Sequence, residues 1–209
     1  WSGFTPELVG YLMKGPRTRE ALAETIKPIV FTIPLRLRVR AIYVILCGLT
    51  IVWLYCLCLV MKRSRLEAFL AAGLLAMSWE FAYHSRWIAP DVLMTQFVVL
   101  AFLCLALGLS RKSTGWLYCS AIAVGLAAGT KYPGILILPV LVVGSIPTLY
   151  GVKRSAFYVA RHVVGLSAVA CLTFAVTNPA SVLDPFRFFA QLQEQQLIYG
   201  SGWFGHTVN

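Results

Sequence analysis

Four ionisable side chains lie within the segment Ser78-Trp-Glu-Phe-Ala-Tyr-His-Ser-Arg-Trp-Ile-Ala-Pro-Asp91: Glu80, His84, Arg86 and Asp91. Apolar runs at 68–79 and 92–109 flank them. Ionisable groups beside a bilayer are costly, so such a cluster implies partners or a task. A carboxylate such as Asp91 can take a proton from an attacking hydroxyl or orient it. Cations such as Arg86 and Lys131 can hold a phosphate leaving group as its charge develops.

Simpler readings stand beside these. Arg86 and Asp91 could form an interfacial ion pair that fixes the turn between them. Glu80 and His84 are four apart and could satisfy each other on one helix face. Lys131 could snorkel from a short helix towards headgroups. Trp79 and Trp87 suit an aromatic belt, and His162 beside Arg161 suits an interface.

The elements that must position these residues are membrane helices. The chain has 209 residues, of which 59% are hydrophobic and 12% charged, with a mean hydropathy of +0.76. Soluble domains carry about 25% charged residues. Several uncharged stretches reach the roughly 18–20 residues that cross a hydrocarbon core. The fold expected is therefore all-α, a polytopic transmembrane bundle of about six spans plus interfacial helices. The spans fall near 41–61, 66–84, 91–109, 115–130, 134–150 and 156–177. Residues 1–40, divided by Pro6, Pro16, Pro28 and Pro34, form a juxtamembrane segment. Residues 178–209 form a loop with an amphipathic helix at 185–199, which carries Phe188, Phe189, Leu192 and Tyr199 on one side. Trp1 in place of an initiating Met, and a polar glycine-rich end at Asn209, lead us to expect a piece of a longer protein.

The net charge of +10 sits mostly between or beside apolar runs, which fits anchoring to anionic lipids and argues against nucleic acid as a partner. All six cysteines lie inside apolar runs. Cys56-Leu-Cys58 has no matching second pair, so small apolar packing groups are expected and a zinc site is not. Ala121, Gly125 and Gly129 form a ridge at every fourth residue that would let another helix approach closely. The loops at 62–65, 111–112 and 153–161 alternate onto one side and carry eight Lys and Arg, against three on the other: Arg86, Lys131 and Arg187. Those loops would face the cytoplasm. The N-terminal stretch adds seven to the opposite side and turns the count to ten against eight, so charge alone leaves the orientation open.

Two motifs carry a resemblance. His84-Ser-Arg-Trp-Ile-Ala-Pro-Asp91 opens an apolar span, and Gly129-Thr-Lys-Tyr-Pro-Gly134 closes a short Ala/Gly-rich one about 40 residues later. The chain, over about 30–209, resembles the polyprenyl-phosphate-sugar glycosyltransferases of the C-type fold. The nearest groups are the dolichyl-phosphate-mannose protein mannosyltransferases and the bacterial lipopolysaccharide-modifying and aminoarabinose transferases. The Arg-rich approach to the first span, Asn178-Pro179 and the Gly-Trp-Phe-Gly-His tail fit the same pattern.

The resemblance implies an active face on the extracytoplasmic side, in a bacterial inner membrane or plasma membrane rather than the endoplasmic reticulum. It implies a polyprenyl-phosphate-linked sugar donor and a protein, lipid or glycan acceptor. Asp91 matches a catalytic acidic residue of the second outer loop, Arg86 the adjoining arginine and Lys131 the motif lysine, the last two as substrate-binding groups. His84, Glu80 and His206 are candidate supporting residues. The family's main carboxylate normally sits in an Asp-Glu pair of the first outer loop. No such pair occurs here, and Glu7 is a poor substitute. No cofactor is implied with certainty, and a divalent metal is left open. The competing functions are a transporter or flippase for a lipid-linked substrate and a non-catalytic membrane scaffold.

Overall fold

The computed structural model describes residues 33–87, 89–152 and 155–200, with side chains omitted at 33–36, 195–196 and 198–200. Every regular element among them is helical, in agreement with the all-α expectation. The order is α1 (Ile33–Val60), α2 (Arg65–Ala76), α3 (Trp79–Arg86), α4 (Pro90–Arg111), α5 (Thr114–Thr130), a 3₁₀ turn (Tyr132–Leu136), α6 (Ile137–Val152), α7 (Ala156–Thr177), α8 (Ala180–Leu183) and α9 (Pro185–Gly200).

Four described segments are long and apolar enough to cross a membrane: Leu37–Val60, Pro90–Arg111, Tyr132–Val152 and Ala156–Thr177. The helix Thr114–Thr130 is apolar but shorter. The single span expected at 66–84 is instead two helices, α2 and α3. The break has a local cause. Ser78 Oγ accepts from the Phe81 amide at 3.3 Å and so starts a new helix after Met77. The capping box at the start of α2 works in the same way. Ser64 Oγ accepts from the Glu67 amide at 3.1 Å, and Glu67 accepts from the Ser64 amide at 3.2 Å.

Short α5 is the centre of the bundle and packs against α4, α6 and α7. Leu117, Ala121, Val124, Ala127 and Ala128 are all buried. They join Leu141 and Leu149 of α6 and Leu166 and Ala170 of α7 in one core, except for Ala127 and Ala128, which pack lower on the helix. The small ridge does what its spacing predicts. A β-carbon on Gly125 would lie 2.5 Å from the Ala170 carbonyl oxygen and 2.6 Å from Thr173 Cβ, and one on Gly129 would collide with Thr177. On the other side Ser120 Oγ donates to the Ala101 carbonyl of α4 at 2.8 Å. Polar groups that bridge membrane helices in this way add to packing.

After α5 the chain folds back on it. The Gly134 amide donates to the Lys131 carbonyl at 2.9 Å. A β-carbon at Gly134 would stand 2.5–2.7 Å from the backbone of Ala127 and Ala128, which cannot give way as a side chain can. A β-carbon at Gly73, in contrast, would meet nothing within 4 Å. Gly134→Ala is therefore expected to destabilise the purified protein by about 1–3 kcal/mol, the usual cost of overpacking, while Gly73→Ala is tolerated. Thermal unfolding in detergent checks this; equal midpoints for the two variants would contradict it.

Candidate functional site

Asp91 is the second residue of α4, directly after Pro90. Proline at the first helical position loses no helical hydrogen bond, and a carboxylate in the first turn is favoured by the helix dipole. Lys131 is the cap residue at the far end of α5, with extended backbone (φ −152°, ψ 130°). Because α4 and α5 run antiparallel across a short connection, the start of one lies beside the end of the other. Lys131 Nζ donates to Asp91 Oδ1 in a direct ion pair across 40 positions of sequence. The Lys131 and Asp91 side chains remain 37% and 51% exposed, so the pair can be reached from outside the bundle.

Four contacts shape this end of the bundle. The Tyr43 hydroxyl of α1 donates to the Ala89 carbonyl, immediately before α4. The Tyr132 ring meets Phe188 of α9 edge to face, with centroids 5.4 Å apart. Phe188 in turn meets Phe174 of α7 at 6.2 Å. The Asp184 carboxylate starts α9 by accepting from the Arg187 amide at 3.1 Å. An apolar wall from α7 and α9 therefore stands beside Lys131.

The other candidates divide. Glu80 and His84 pair with each other at 3.2 Å on the surface of α3, where Glu80 is 82% exposed. They do not join Asp91. Tyr83 packs edge to face on His84, between Trp79 and Trp87. Arg86 is exposed at the end of α3 and has no ion-pair partner among the described residues. The Arg86–Asp91 ion pair offered as a simpler reading does not form; Asp91 pairs with Lys131 instead, because α5 brings its lysine to the carboxylate. His206 and Glu7 lie outside the described residues. No group of three His, Cys, Asp or Glu side chains converges among the described residues. His162 accepts from or donates to the Tyr118 hydroxyl at 3.0 Å and stacks near Tyr158, at the opposite end of α7 from Phe174.

Sequence reasoning missed two of the supports. Tyr43 sits alone in an apolar run, with nothing beside it to mark a partner 46 positions away. Phe188 was legible as one side of an amphipathic helix, but its partner Tyr132 was not. Of that expected side, Phe188 and Leu192 are partly covered and Phe189 is 62% exposed.

Long apolar helices with a reachable carboxylate–ammonium pair at one end define an integral membrane protein with a charged site at a bundle end rather than at mid-span. Residues 28–177, most of the chain, match the family of dolichyl-phosphate-mannose-protein mannosyltransferases, and the chain belongs to that family of membrane glycosyltransferases. The matched stretch contains Glu80, His84, Arg86, Asp91 and Lys131. Comparison with curated proteins and with solved structures finds no match.

A half-exposed ion pair contributes only about 0–1 kcal/mol to stability. Asp91→Ala and Lys131→Ala should therefore both insert and remain folded, with unfolding midpoints close to that of the unaltered protein. Loss of folded protein in either variant, measured by size-exclusion chromatography, would show that the pair is a structural requirement instead.

Proposed function

We propose that the protein transfers a sugar from a polyprenyl-phosphate donor to a hydroxyl of a protein, lipid or glycan acceptor on the extracytoplasmic face. The observation that carries this reading is the Lys131–Asp91 pair, accessible at one end of the bundle within the family-matched region. In transfer, the bond between the sugar's anomeric carbon and the phosphate oxygen breaks, and the phosphate leaves with the bonding electrons. The acceptor oxygen forms the new bond and loses its proton. Asp91 is suited to orient that hydroxyl or receive its proton. Lys131 and Arg86 are suited to hold the phosphate as its charge grows. The Tyr132–Phe188–Phe174 wall offers apolar surface to the sugar or the lipid.

The pair has a consequence for the order of events. While Lys131 is held by Asp91, its charge is already neutralised. An arriving phosphate must displace the carboxylate, and the displaced carboxylate is then free for the acceptor. Donor binding and activation of Asp91 are coupled in this way.

The outward assignment of this end rests on the family resemblance, since Lys and Arg number ten on this side, with the N-terminal stretch, against eight on the other. A bacterial inner membrane or plasma membrane is the proposed location. A transporter would be expected to hold its charges near the bilayer midplane. Here Asp91 opens α4 and Lys131 closes α5. That placement favours the transferase.

Transfer assays on membranes bearing the full gene product test the reading. Asp91→Ala should lower transfer by at least about a hundredfold, the usual reach of a positioned acid or base. Lys131→Gln should raise the KM for donor. Asp91→Asn should bind the donor's lipid phosphate more tightly than the unaltered protein while transferring poorly, because it releases Lys131. Near-normal transfer by Asp91→Ala and Lys131→Gln would overturn the assignment and favour the scaffold reading.

A further inference from the structure

An apolar groove lies at the other end of α4 from Asp91. Between the last turns of α1 and α4 runs an open groove of about 630 Å³. Leu57 and Val60 form one wall, and Phe102 and Ala106 the other. Lys62 and Ser110 stand at its mouth. From Phe102 to Ser110 the wall extends roughly 12 Å at 1.5 Å per residue, about the length of the upper part of an acyl chain.

The mouth is strongly basic. Lys62, which lines the groove, is exposed, as are its neighbours in the chain Arg63 and Arg65 and, at the end of α4, Arg111, whose guanidinium lies 5.7 Å from the Trp116 ring. Among the described residues the acid nearest to these in sequence is Glu67, in the first turn of α2, which is engaged in the Ser64 capping box. Lys62 itself adopts a left-handed backbone conformation (φ 58°) where α1 ends, so the chain turns and places this lysine at the groove rather than continuing the helix. An apolar slot that takes the upper part of an acyl chain, under a cationic rim, is complementary to an anionic phospholipid. A neutral lipid would leave the rim uncompensated. A further polypeptide helix would have to bury Lys62 against its own apolar face.

We infer that the groove between α1 and α4 binds a single anionic phospholipid, one acyl chain against Phe102 and Ala106 and the headgroup phosphate on Lys62. The Asp91–Lys131 site is at the opposite end of α4, so this assignment does not depend on the proposed reaction.

Native mass spectrometry of the purified full gene product tests it, with phosphatidylglycerol and phosphatidylcholine of identical acyl chains as probes. One phosphatidylglycerol should be retained in preference to phosphatidylcholine. Lys62→Gln should lower its occupancy about fivefold, the worth of one basic residue near an anionic surface, and Lys62→Arg should restore it. Ala106→Phe should exclude it, whereas Lys112→Gln, outside the groove, should leave it unchanged. Equal retention of the two lipids would overturn the inference. So would equal losses for Lys62→Gln and Lys112→Gln, which would mark a diffuse basic rim. Cross-linking of an Ala106→Cys variant to another segment of the protein would show that polypeptide fills the groove, and would overturn it too.

Discussion

Tied by a two-residue connection at one end, α4 and α5 can bring Asp91 and Lys131 together at the other only by lying close along their length. Here that constraint falls on α5. It presents small residues to its neighbours, so that Gly125 and Gly129 admit α7 and Ser120 bonds directly to the backbone of α4. Its brevity matters as much as its smoothness. Ending at Thr130, it brings Lys131 level with the first turn of α4, and Gly134 then lets the chain fold flat against Ala127 and Ala128. Larger side chains along α5 would move Lys131 away from Asp91 without touching either residue.

The ion pair is thus a product of packing rather than a cause of it. At its observed exposure it adds little to stability. In the proposed reaction its value lies in keeping a cation and a carboxylate together at the bundle end, each neutralising the other until donor phosphate separates them. The aromatic contacts around it are of a different kind. Tyr132, Phe188 and Phe174 join three elements through ring edges and faces.

Much of this was legible in the sequence, and the limits have physical reasons. The apolar runs near 91–109, 115–130, 134–150 and 156–177 fall on α4 to α7 because each is apolar and bounded by charge or proline, although α5 is shorter than the others. The every-fourth-residue ridge on α5 pointed to close helix contact, which Gly125 and Gly129 make. The break at Ser78 was not legible as such. A lone serine in an apolar run is common in membrane helices, and only the captured Phe81 amide reveals it as a cap. Asp91 and Lys131 were placed on a common face by the alternation of spans, but their pairing depends on helix lengths to within a turn. Proximity in sequence favoured Arg86 as the partner of Asp91, and the three-dimensional path of α5 decided for Lys131. Tyr43 stayed hidden because a hydroxyl bound to a backbone carbonyl leaves no pattern in the residue it meets.

A structure of the full gene product with a polyprenyl phosphate bound is the most direct test of a site in which Lys131 exchanges one anion for another. The exchange predicts Lys131 Nζ within hydrogen-bonding distance of a phosphate oxygen and the Asp91 carboxylate released towards the open side of the site. An intact Lys131–Asp91 pair with the phosphate bound elsewhere would contradict it.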